Sequence, residues 1–475
     1  MFSYMKKYSI KFINTQGGFI IMEKNQQVIG YLPDDKPQLW KLLLYALQQV
    51  IVMFPATVAV ALITQFHIST TIFASGLATI CFILVTGKKI PLYYGSSFSY
   101  LSAILGIMGS EALAGAALNE RIAIAQFGIV MSGFVSIAAG LIVKQFGRDS
   151  IEKILPATIT GPIAMVIGLT LAGTALSDAA SFGGAINAPE AQAALAANMA
   201  WTVSLVTMIS TIMFSVYLKG FLGQLPLLLG PILGCITAFI INMATGINLF
   251  KVLPEAANSG FFALPVFTLP KPNWPAVAAI MPIAIATIPE STAHVYQLDI
   301  YVNDLAKKKR STKKYDIADR LGHNLIGDGI GDIVAGFIGG PAGTNYGENI
   351  SAMAITKVFS IPVLMAAAVI AMIISCFTPL INAIYAIPTA VIGGLEVYLF
   401  GAIAAQGIAI MVEKKVDLFS SKNIAIIATI MIIGLGGQYA FGGSIPFFGM
   451  NIPCVAGAAI FGILLNLLLS IGEKK

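Results

Sequence analysis

The chain has 475 residues, of which 57% are hydrophobic and 11% charged, with a mean hydropathy of +0.85. Because soluble globular chains carry about 25% charged residues, this composition excludes a soluble protein and predicts a polytopic membrane protein. The net charge of +6 does not indicate nucleic-acid binding, because the basic residues lie in short loops rather than in one patch. The four cysteines show no CxxC or His/Cys spacing, so we expect no disulfide framework, metal site or cofactor.

Residues 1–39 are polar and are predicted to form a cytoplasmic segment without a cleavable signal peptide. Residues 1–21 precede Met22 and receive no structural role. Fourteen apolar segments follow, most of them near the roughly 20 residues that a spanning helix needs. The segments are 40–63, 67–87, 91–108, 123–146, 151–175, 200–219, 224–247, 276–297, 321–338, 341–357, 359–383, 386–411, 422–437 and 452–471.

The distribution of basic residues predicts the orientation of these segments. With the N-terminus in the cytoplasm, 25 of the 28 Lys and Arg residues fall on the cytoplasmic side, and only Arg121, Lys251 and Lys271 fall outside. Basic residues are enriched in cytoplasmic loops. We therefore expect a multi-pass protein of the inner membrane with both termini in the cytoplasm.

Segments three and ten share a short motif and are too short and too polar to be simple spans. Residues 94–99 read Tyr-Gly-Ser-Ser-Phe-Ser, and residues 346–351 read Tyr-Gly-Glu-Asn-Ile-Ser. Interrupted segments at matching places in two halves indicate a transporter binding site. We predict short strands at 93–98 and 344–348, each leading into a half-helix, within an all-α membrane fold of two inverted seven-segment repeats. Simple packing of small residues between helices is the alternative.

Two carboxylates lie at predicted membrane depth, Glu290 in segment eight and Glu348 in segment ten. A charged side chain within the bilayer is costly, which favours a functional role facing a polar cavity. His294 follows Glu290 by four residues and shares its helix face, so this pair is a candidate device for proton coupling. A purely structural hydrogen-bonded pair is the alternative.

Asp328 and Asp332 are also four residues apart, on one face of segment nine. We expect Asp328 to point to the core near the broken segments and Asp332 to lie nearer a membrane interface. A functional role for Asp328 is weighed against a hydrogen bond within the helix bundle.

The side chains gathered at these positions suit one kind of ligand. The carboxylates accept hydrogen bonds, the free backbone N–H groups of the half-helices donate them, and Phe98 and two tyrosines offer aromatic faces. A planar, neutral heterocycle with N–H donors and carbonyl acceptors fits this set, whereas two acids would repel a simple anion.

The stretch from Asn345 to Lys357 resembles the signature of the nucleobase–ascorbate transporter family, also called nucleobase:cation symporter-2, and within it the bacterial uracil permeases. In that signature an acid, Gln or Pro precedes an Asn, as Glu348 precedes Asn349. Residues 95–98 and 53–57 are similar to uracil-permease stretches, and the resemblance extends over about 40–471. Members with Glu before the Asn tend to carry pyrimidines, and members with Gln tend to carry xanthine or urate.

The resemblance implies roles for individual residues. Glu290 and Glu348 would bind the base, the backbone N–H groups of Phe98 and Gly347 would bind its carbonyls, and Ala56 would line the site. A supporting or proton-coupling role falls to a second set, which comprises His294, Asp328, Asn349, Tyr346 and Ser96.

The resemblance also implies a division into core and gate, with the core moving against the gate. The core would comprise 40–146 and 276–383, and the gate 147–275 and 384–475. Three positions depart from the family pattern: Gln48-Gln49 replaces Gln-His, Ser351 replaces Gly, and Ser291 replaces His.

These features together predict a carrier, not an enzyme, that imports a nucleobase with a proton, with Na⁺ as the alternative coupling ion. Uracil is the first expectation, and xanthine or another purine base the second. The expected partners are the small-molecule base, the lipid bilayer and a second copy in a homodimer, with no nucleic acid. An anion carrier of the same fold would need a basic residue near the half-helices, and a membrane sensor or enzyme would need a longer soluble loop.

Overall fold

The computed structural model describes residues 30–147, 155–182, 190–253, 260–448 and 450–471. The predicted cytoplasmic start at Met22 lies outside the described residues. Helices dominate, since a chain in an apolar surrounding must satisfy its backbone hydrogen bonds internally. The helices of the first half are α1 (Leu39–Thr64), α2 (Ile68–Val85), α3 (Leu101–Met108), α4 (Leu118–Phe146), α5 (Ala157–Thr170), α6 (Ala172–Ala180), α7 (Glu190–Tyr217) and α8 (Pro226–Thr245).

The second half continues with helices and two pairs of very short strands. Its helices are α9 (Trp274–Ile280), α10 (Ile283–Lys308), α11 (Leu321–Ile338), α12 (Gly347–Thr356), α13 (Ile361–Ile374), α14 (Thr378–Tyr385), α15 (Thr389–Glu413), α16 (Ser421–Phe441) and α17 (Cys454–Ser470). The strands of the whole chain are β1 (Tyr94–Ser96), β2 (Gly343–Asn345), β3 (Ser444–Phe447) and β4 (Met450–Pro453).

Many of these helices are suited to cross a membrane. Within the described residues, nine helices are long and apolar enough to span a bilayer, and three further apolar helices are shorter. The chain is therefore a multi-pass, mostly helical membrane protein, as its composition predicts. The number of fourteen spans stays a prediction.

The helices pack in two groups of neighbours. In one group, α4 lies along α11, α2 contacts α11 and α13, and α1 contacts α13. In the other, α15 contacts α5, α6 and α7, α16 lies against α5 and α17, and α7 packs on α8. The broken segments that carry β1 and β2 belong with the first group, because β1 contacts α1 and α2 and β2 contacts α10 and α11.

Several predicted boundaries are wrong. Segment eight is two helices, and α10 continues to Lys308 through a stretch predicted as loop. It does so because Leu298, Val302 and Leu305 recur at helical spacing on a buried face. Segment five is one spanning unit from Ala157 to Ala180, with a break at Leu171 between α5 and α6, and so it ends later than predicted. Segment eleven ends at Ile374, before the separate helix α14.

A second difference is the hairpin of β3 and β4, which pair in antiparallel fashion between α16 and α17. Residues 438–451 are expected from the sequence to connect segments thirteen and fourteen, with no strand predicted there. Segment fourteen begins as a helix only at Cys454, after this hairpin.

Candidate functional site

The candidate site is built around the pairing of β1 with β2. The two strands are antiparallel, with Tyr94 opposite Asn345 and Ser96 opposite Gly343. β1 lies within the predicted stretch 93–98 but is shorter, whereas β2 begins one residue before the predicted stretch 344–348 and overlaps it only at Thr344 and Asn345. The predicted strand 344–348 is wrong at its end, because Gly347 and Glu348 already belong to α12.

Each strand leads into the beginning of a helix. After β1, a 3₁₀ turn from Phe98 to Tyr100 precedes α3. After β2, Tyr346 is the N-cap of α12 and supplies no side-chain cap. The first N–H groups of a helix have no partner within it and carry the positive end of the helix dipole. Both helix starts therefore present hydrogen-bond donors beside the strand pair.

Glu290 and Glu348 come together at this place. Glu290 lies within α10 directly after Pro289, Glu348 lies in the first turn of α12, and both are partly buried. Their carboxyl groups are close enough to interact electrostatically. Two carboxylates and a helix N-terminus thus combine acceptors and donors in one place.

His294 packs against the beginning of α12. A Cβ atom placed on Gly347 would lie 2.8 Å from the Nε2 atom of His294. Only glycine can bring the backbone this close to the imidazole. His294 therefore contacts the backbone whose N–H group is a candidate donor, one helical turn from Glu290.

Tyr346 ties the strand pair to α1. Its hydroxyl donates to the carbonyl oxygen of Ser96 at 3.1 Å and lies 2.8 Å from the hydroxyl of Thr57. Ala56, the neighbour of Thr57, is 1% exposed. The ring of Tyr346 also packs against β1, because a Cβ on Gly95 would lie 2.4 Å from it.

Asn349 provides a second link to α1. Its side-chain amide donates to the backbone oxygen of Gln49 at 3.0 Å and to the Gln49 side chain at 2.9 Å. Asn349 and Gln49 are both fully buried. Gln49 belongs to the Gln48-Gln49 pair, which departs from the family pattern. A residue that departs from the pattern therefore contacts Asn349 of the signature directly.

Asp328 is buried at the junction of α10 and α11. Its Oδ2 atom accepts from the hydroxyl of Ser291 at 2.6 Å and from the amide of Asn324 at 3.2 Å. Asn324 in turn accepts from the amide of Asn345, the last residue of β2. Asp328 thus lies near the broken segments, and Ser291, another departure from the family pattern, is its direct partner.

The expectation that Asp332 lies nearer a membrane interface is wrong. It is 2% exposed, and its Oδ1 atom accepts from the hydroxyl of Tyr94 at 2.6 Å and from the N–H of Gly343 at 2.7 Å. Asp332 therefore holds both strands directly. Position 332 is one helical turn beyond Asp328, and the strand pair lies along that same face of α11.

Several buried polar atoms near the strands have no hydrogen-bond partner among the described residues. They are Asp328 Oδ1, Thr344 Oγ1, Asn345 Oδ1, Asn349 Oδ1 and His294 Nδ1. Buried polar groups are ordinarily satisfied. This concentration of free donors and acceptors fits a site for a polar ligand.

A separate cavity of about 470 Å³ lies between α1, α8, α14 and α15. Phe54 and Pro55 line it from α1, but its lining contains neither Glu290 nor Glu348. Its walls are apolar, so it offers a polar heterocycle no hydrogen bonds. We assign the candidate site to the strand pair.

Sequence reasoning misses two contributors to this site, Asn324 and Thr57. Asn324 precedes Asp328 and Asp332 at intervals of four, so the spacing on one helix face could have identified it. Thr57 gives no such signal, because a single threonine hydroxyl in an apolar helix can donate its hydrogen bond to a backbone carbonyl of the same helix.

Over residues 40–443 the chain matches the model of a protein family. This family is described as a permease family of the xanthine and uracil type. A uracil permease of Bacillus caldolyticus is 33% identical over 92% of this chain and 93% of its own. A uracil permease of Bacillus subtilis (strain 168) is 32% identical over 96% of this chain and 98% of its own.

Solved structures resemble the fold. The murine Solute Carrier 26 family member A9 anion transporter, in its inward-facing state, matches with a TM-score of 0.62 at 12% identity, covering 92% of this chain and 69% of that one. At this identity the likeness concerns the fold alone.

Proposed function

The chain belongs to the nucleobase–ascorbate transporter family of permeases, and from this premise we propose that it imports a nucleobase across the inner membrane, with uracil as the preferred base. Such a protein is a carrier rather than an enzyme. The names of the two Bacillus relatives support uracil, and the residue Glu348 before Asn349 supports a pyrimidine.

The observation that carries this proposal is the meeting of Glu290 and Glu348 beside the beginning of α12. Uracil has two N–H donors and two carbonyl acceptors in one plane. The carboxylates accept from the ring N–H groups, and the backbone N–H groups of Phe98 and Gly347 donate to the carbonyls. Ala56 forms an apolar wall, and the ring of Phe98 stacks on the base.

A proton is the coupling ion in this proposal. His294 contacts Gly347 and lies one helical turn from Glu290, and Asp328 reaches the strands through Asn324 and Asn345. These groups can exchange a proton while the base is bound. Tyr346, Asn349 and Ser96 hold the strand pair against α1.

We infer that transport proceeds by movement of a core against a gate. The core comprises 40–146 and 276–383, the gate 147–275 and 384–475, and the two packing groups of helices support this division. Fourteen segments as two inverted repeats, with both termini cytoplasmic, agree with the antiparallel pairing of β1 and β2 and with the positions of the basic residues. From the family resemblance we expect a homodimer.

The test is competition for uptake in cells that lack their own base carrier. Cells that produce this chain should take up radiolabelled uracil, and unlabelled uracil should compete better than xanthine, guanine or adenine. Better competition by a purine would contradict the assignment of uracil. No uptake of any base would contradict the proposed substrate class.

A further inference from the structure

Glu396 is a buried carboxyl group far along the chain from the strand pair. It lies in α15, is 0% exposed, and neither of its side-chain oxygens has a hydrogen-bond partner among the described residues. Burying an ionised carboxylate without donors is strongly unfavourable, and the neutral acid avoids most of this cost. The site therefore favours a carboxyl group that holds its proton.

The surroundings of Glu396 are closely packed. Gly393, one turn before it, approaches α6 so closely that a Cβ would lie 2.1 Å from the backbone nitrogen of Ala179. A Cβ on Gly394 would lie 2.3 Å from the backbone oxygen of Ser204 in α7. Glu396 is thus enclosed where α15 meets α6 and α7.

Two charged groups face Glu396, Asp178 from α6 and Lys251 from the segment after α8. The backbone N–H of Lys251 donates to the carbonyl of Ala386 at 3.1 Å, which holds this segment near the beginning of α15. Neither Asp178 nor Lys251 forms an ion pair within 4 Å among the described residues. Lys251 is therefore near enough to influence Glu396 without neutralising it.

The other helices against α15 carry few titratable groups. Helix α5 has none, and the remaining ones are Cys235 in α8, Lys41 and Tyr45 at the start of α1, and Glu190 and Tyr217 at the two ends of α7.

We propose that Glu396 is a second proton-binding site of this protein, separate from the Glu290–Glu348 pair. In the arrangement described here the carboxyl group is neutral. When Lys251 approaches, the carboxylate becomes stabilised, the O–H bond breaks with its electron pair left on oxygen, and a water molecule takes the proton.

The position of the cluster suggests where the proton enters. Lys251 lies in the segment after α8 and Asp178 near the end of α6, and the basic-residue distribution places both on the outer side. Glu396 is seven residues from the start of α15, which is about 10 Å of helix. A proton from the outer solution therefore reaches Glu396 near the external end.

Helix α15 also connects Glu396 to the candidate base site. Leu395 and Leu399 belong to one apolar cluster with Ala59 and Ile63 of α1, and Phe98 packs against that cluster. A shift of α15 on loss of the proton thus reaches Phe98. This last step rests on the proposed function, whereas the proton site itself does not.

The proton site can be tested without any base. Infrared spectra of the full chain in lipid nanodiscs at pH 7 should show a carboxylic-acid C=O band that disappears in Glu396→Gln. The matched control Glu413→Gln, at the exposed end of the same helix, should keep the band. Lys251→Met should extend the band to higher pH by about one unit, because the cation that favours the charged form is removed.

Two results would overturn the proposal. A wild-type minus Glu396→Gln spectrum with only carboxylate bands at pH 7 would show that the group is ionised. A carboxylate band that shifts on addition of Na⁺ would show a metal-cation site instead. If Glu396→Gln does not fold, the pH titration of the carboxylic-acid band in Lys251→Met tests the proposal instead. A band that keeps its wild-type pH dependence in Lys251→Met would contradict the proposal. Failure of uracil uptake leaves this test unaffected.

Discussion

Glu348 lies in the first turn of α12, where the helix dipole favours a negative charge, whereas Glu290 lies inside α10 without that support. The two acids therefore differ in local environment although they share a site. In the proposed function, Glu348 is the acid that accepts hydrogen bonds from the base. Glu290, beside a like charge, is the acid proposed to exchange a proton.

Replacing Glu348 by Gln should reduce uracil uptake at least about tenfold, because a hydrogen bond to a charged group contributes about 1.5–3 kcal/mol. Uptake at equal membrane abundance is the measurement. Glu111→Gln, at an exposed position in a predicted external turn, is the control and should behave like wild type. Undiminished uptake by Glu348→Gln would show that the Glu348 carboxylate does not bind the base.

Replacing Tyr94 by Phe should lower the free energy of unfolding by about 1–3 kcal/mol, since the buried carboxylate of Asp332 loses a donor at 2.6 Å. Thermal unfolding in detergent measures the change. Tyr439→Phe, at a position 70% exposed, controls for loss of a hydroxyl as such. Equal unfolding temperatures for Tyr94→Phe and wild type would show that the hydrogen bond from Tyr94 to Asp332 does not stabilise the fold.

At the residue scale, the sequence identifies Glu290, Glu348 and Asp328 because charged residues stand out in apolar segments. It cannot place Asp332, since a face of a helix can be assigned to the core only when the partner is known. Glu396 escapes notice for a different reason. It is a single acid among Gly, Leu and Val, and only three-dimensional packing shows that it has no donor.

At the scale of elements, the close approach of α4 and α11 positions both aspartates. Gly133 and Gly329 face each other, and a Cβ on Gly329 would lie 2.3 Å from the carbonyl oxygen of Gly133. Small residues allow such backbone contact in membrane helices. Asp328 and Asp332 flank this contact on α11.

Replacing Gly329 by Ala should separate α4 from α11 and destabilise the protein by about 1–3 kcal/mol through overpacking. Uracil uptake should fall as well, because Asp328 moves with the helix. Gly401→Ala, where a Cβ meets nothing within 4 Å, is the matched control. The close contact would be irrelevant to function if both variants transported alike.

Residues 30–37 form a strap over the junction of α12 and α13. The Tyr31 N–H donates to the Lys357 carbonyl at 2.8 Å, and the Phe359 N–H donates to the Tyr31 carbonyl at 2.8 Å. Asp34 accepts hydrogen bonds from Lys313 and Tyr315. Burial acts to raise the pKa of the Asp34 carboxyl, but these hydrogen bonds and the charge of Lys313 together lower it below its ordinary value.

A lowered pKa means that the stabilisation by Asp34 is present above the unfolded pKa of about 3.9 and is lost as pH falls through the folded value. Asp34→Asn should therefore speed hydrogen exchange at Tyr31 and Phe359 at pH 7, with the difference from wild type shrinking in strong acid. Asp316→Asn, in a longer, exposed ion pair, is the control. A pH-independent difference would contradict an electrostatic cause.

The lengths of apolar stretches and the turn residues between them predict most helices. In an apolar surrounding the backbone N–H and C=O groups must be hydrogen-bonded within the protein, and a helix is one of the few structures that achieves this. The prediction fails where helices end inside an apolar stretch. The division at Ser375 and the continuation of α10 to Lys308 depend on packing partners that a single sequence does not reveal. The strands at Gly95 and Thr344 could be predicted because the motif repeated at 94–99 and 346–351 marks the two interrupted segments in which they lie.

At the scale of the whole molecule, the fold and the site give separate information. The anion transporter and this chain share a fold at 12% identity. A fold does not determine the substrate, which depends on the residues placed at the site. Here the carboxylate pair beside a helix N-terminus favours a neutral base over an anion.

Transport into liposomes under a controlled proton gradient is the most direct test of the central claim. Purified protein should accumulate radiolabelled uracil when the outside is acidic, and a protonophore should reduce this to simple equilibration, with no effect of a Na⁺ gradient. Accumulation that persists after the proton gradient is collapsed, or that requires Na⁺, would contradict proton-coupled nucleobase transport.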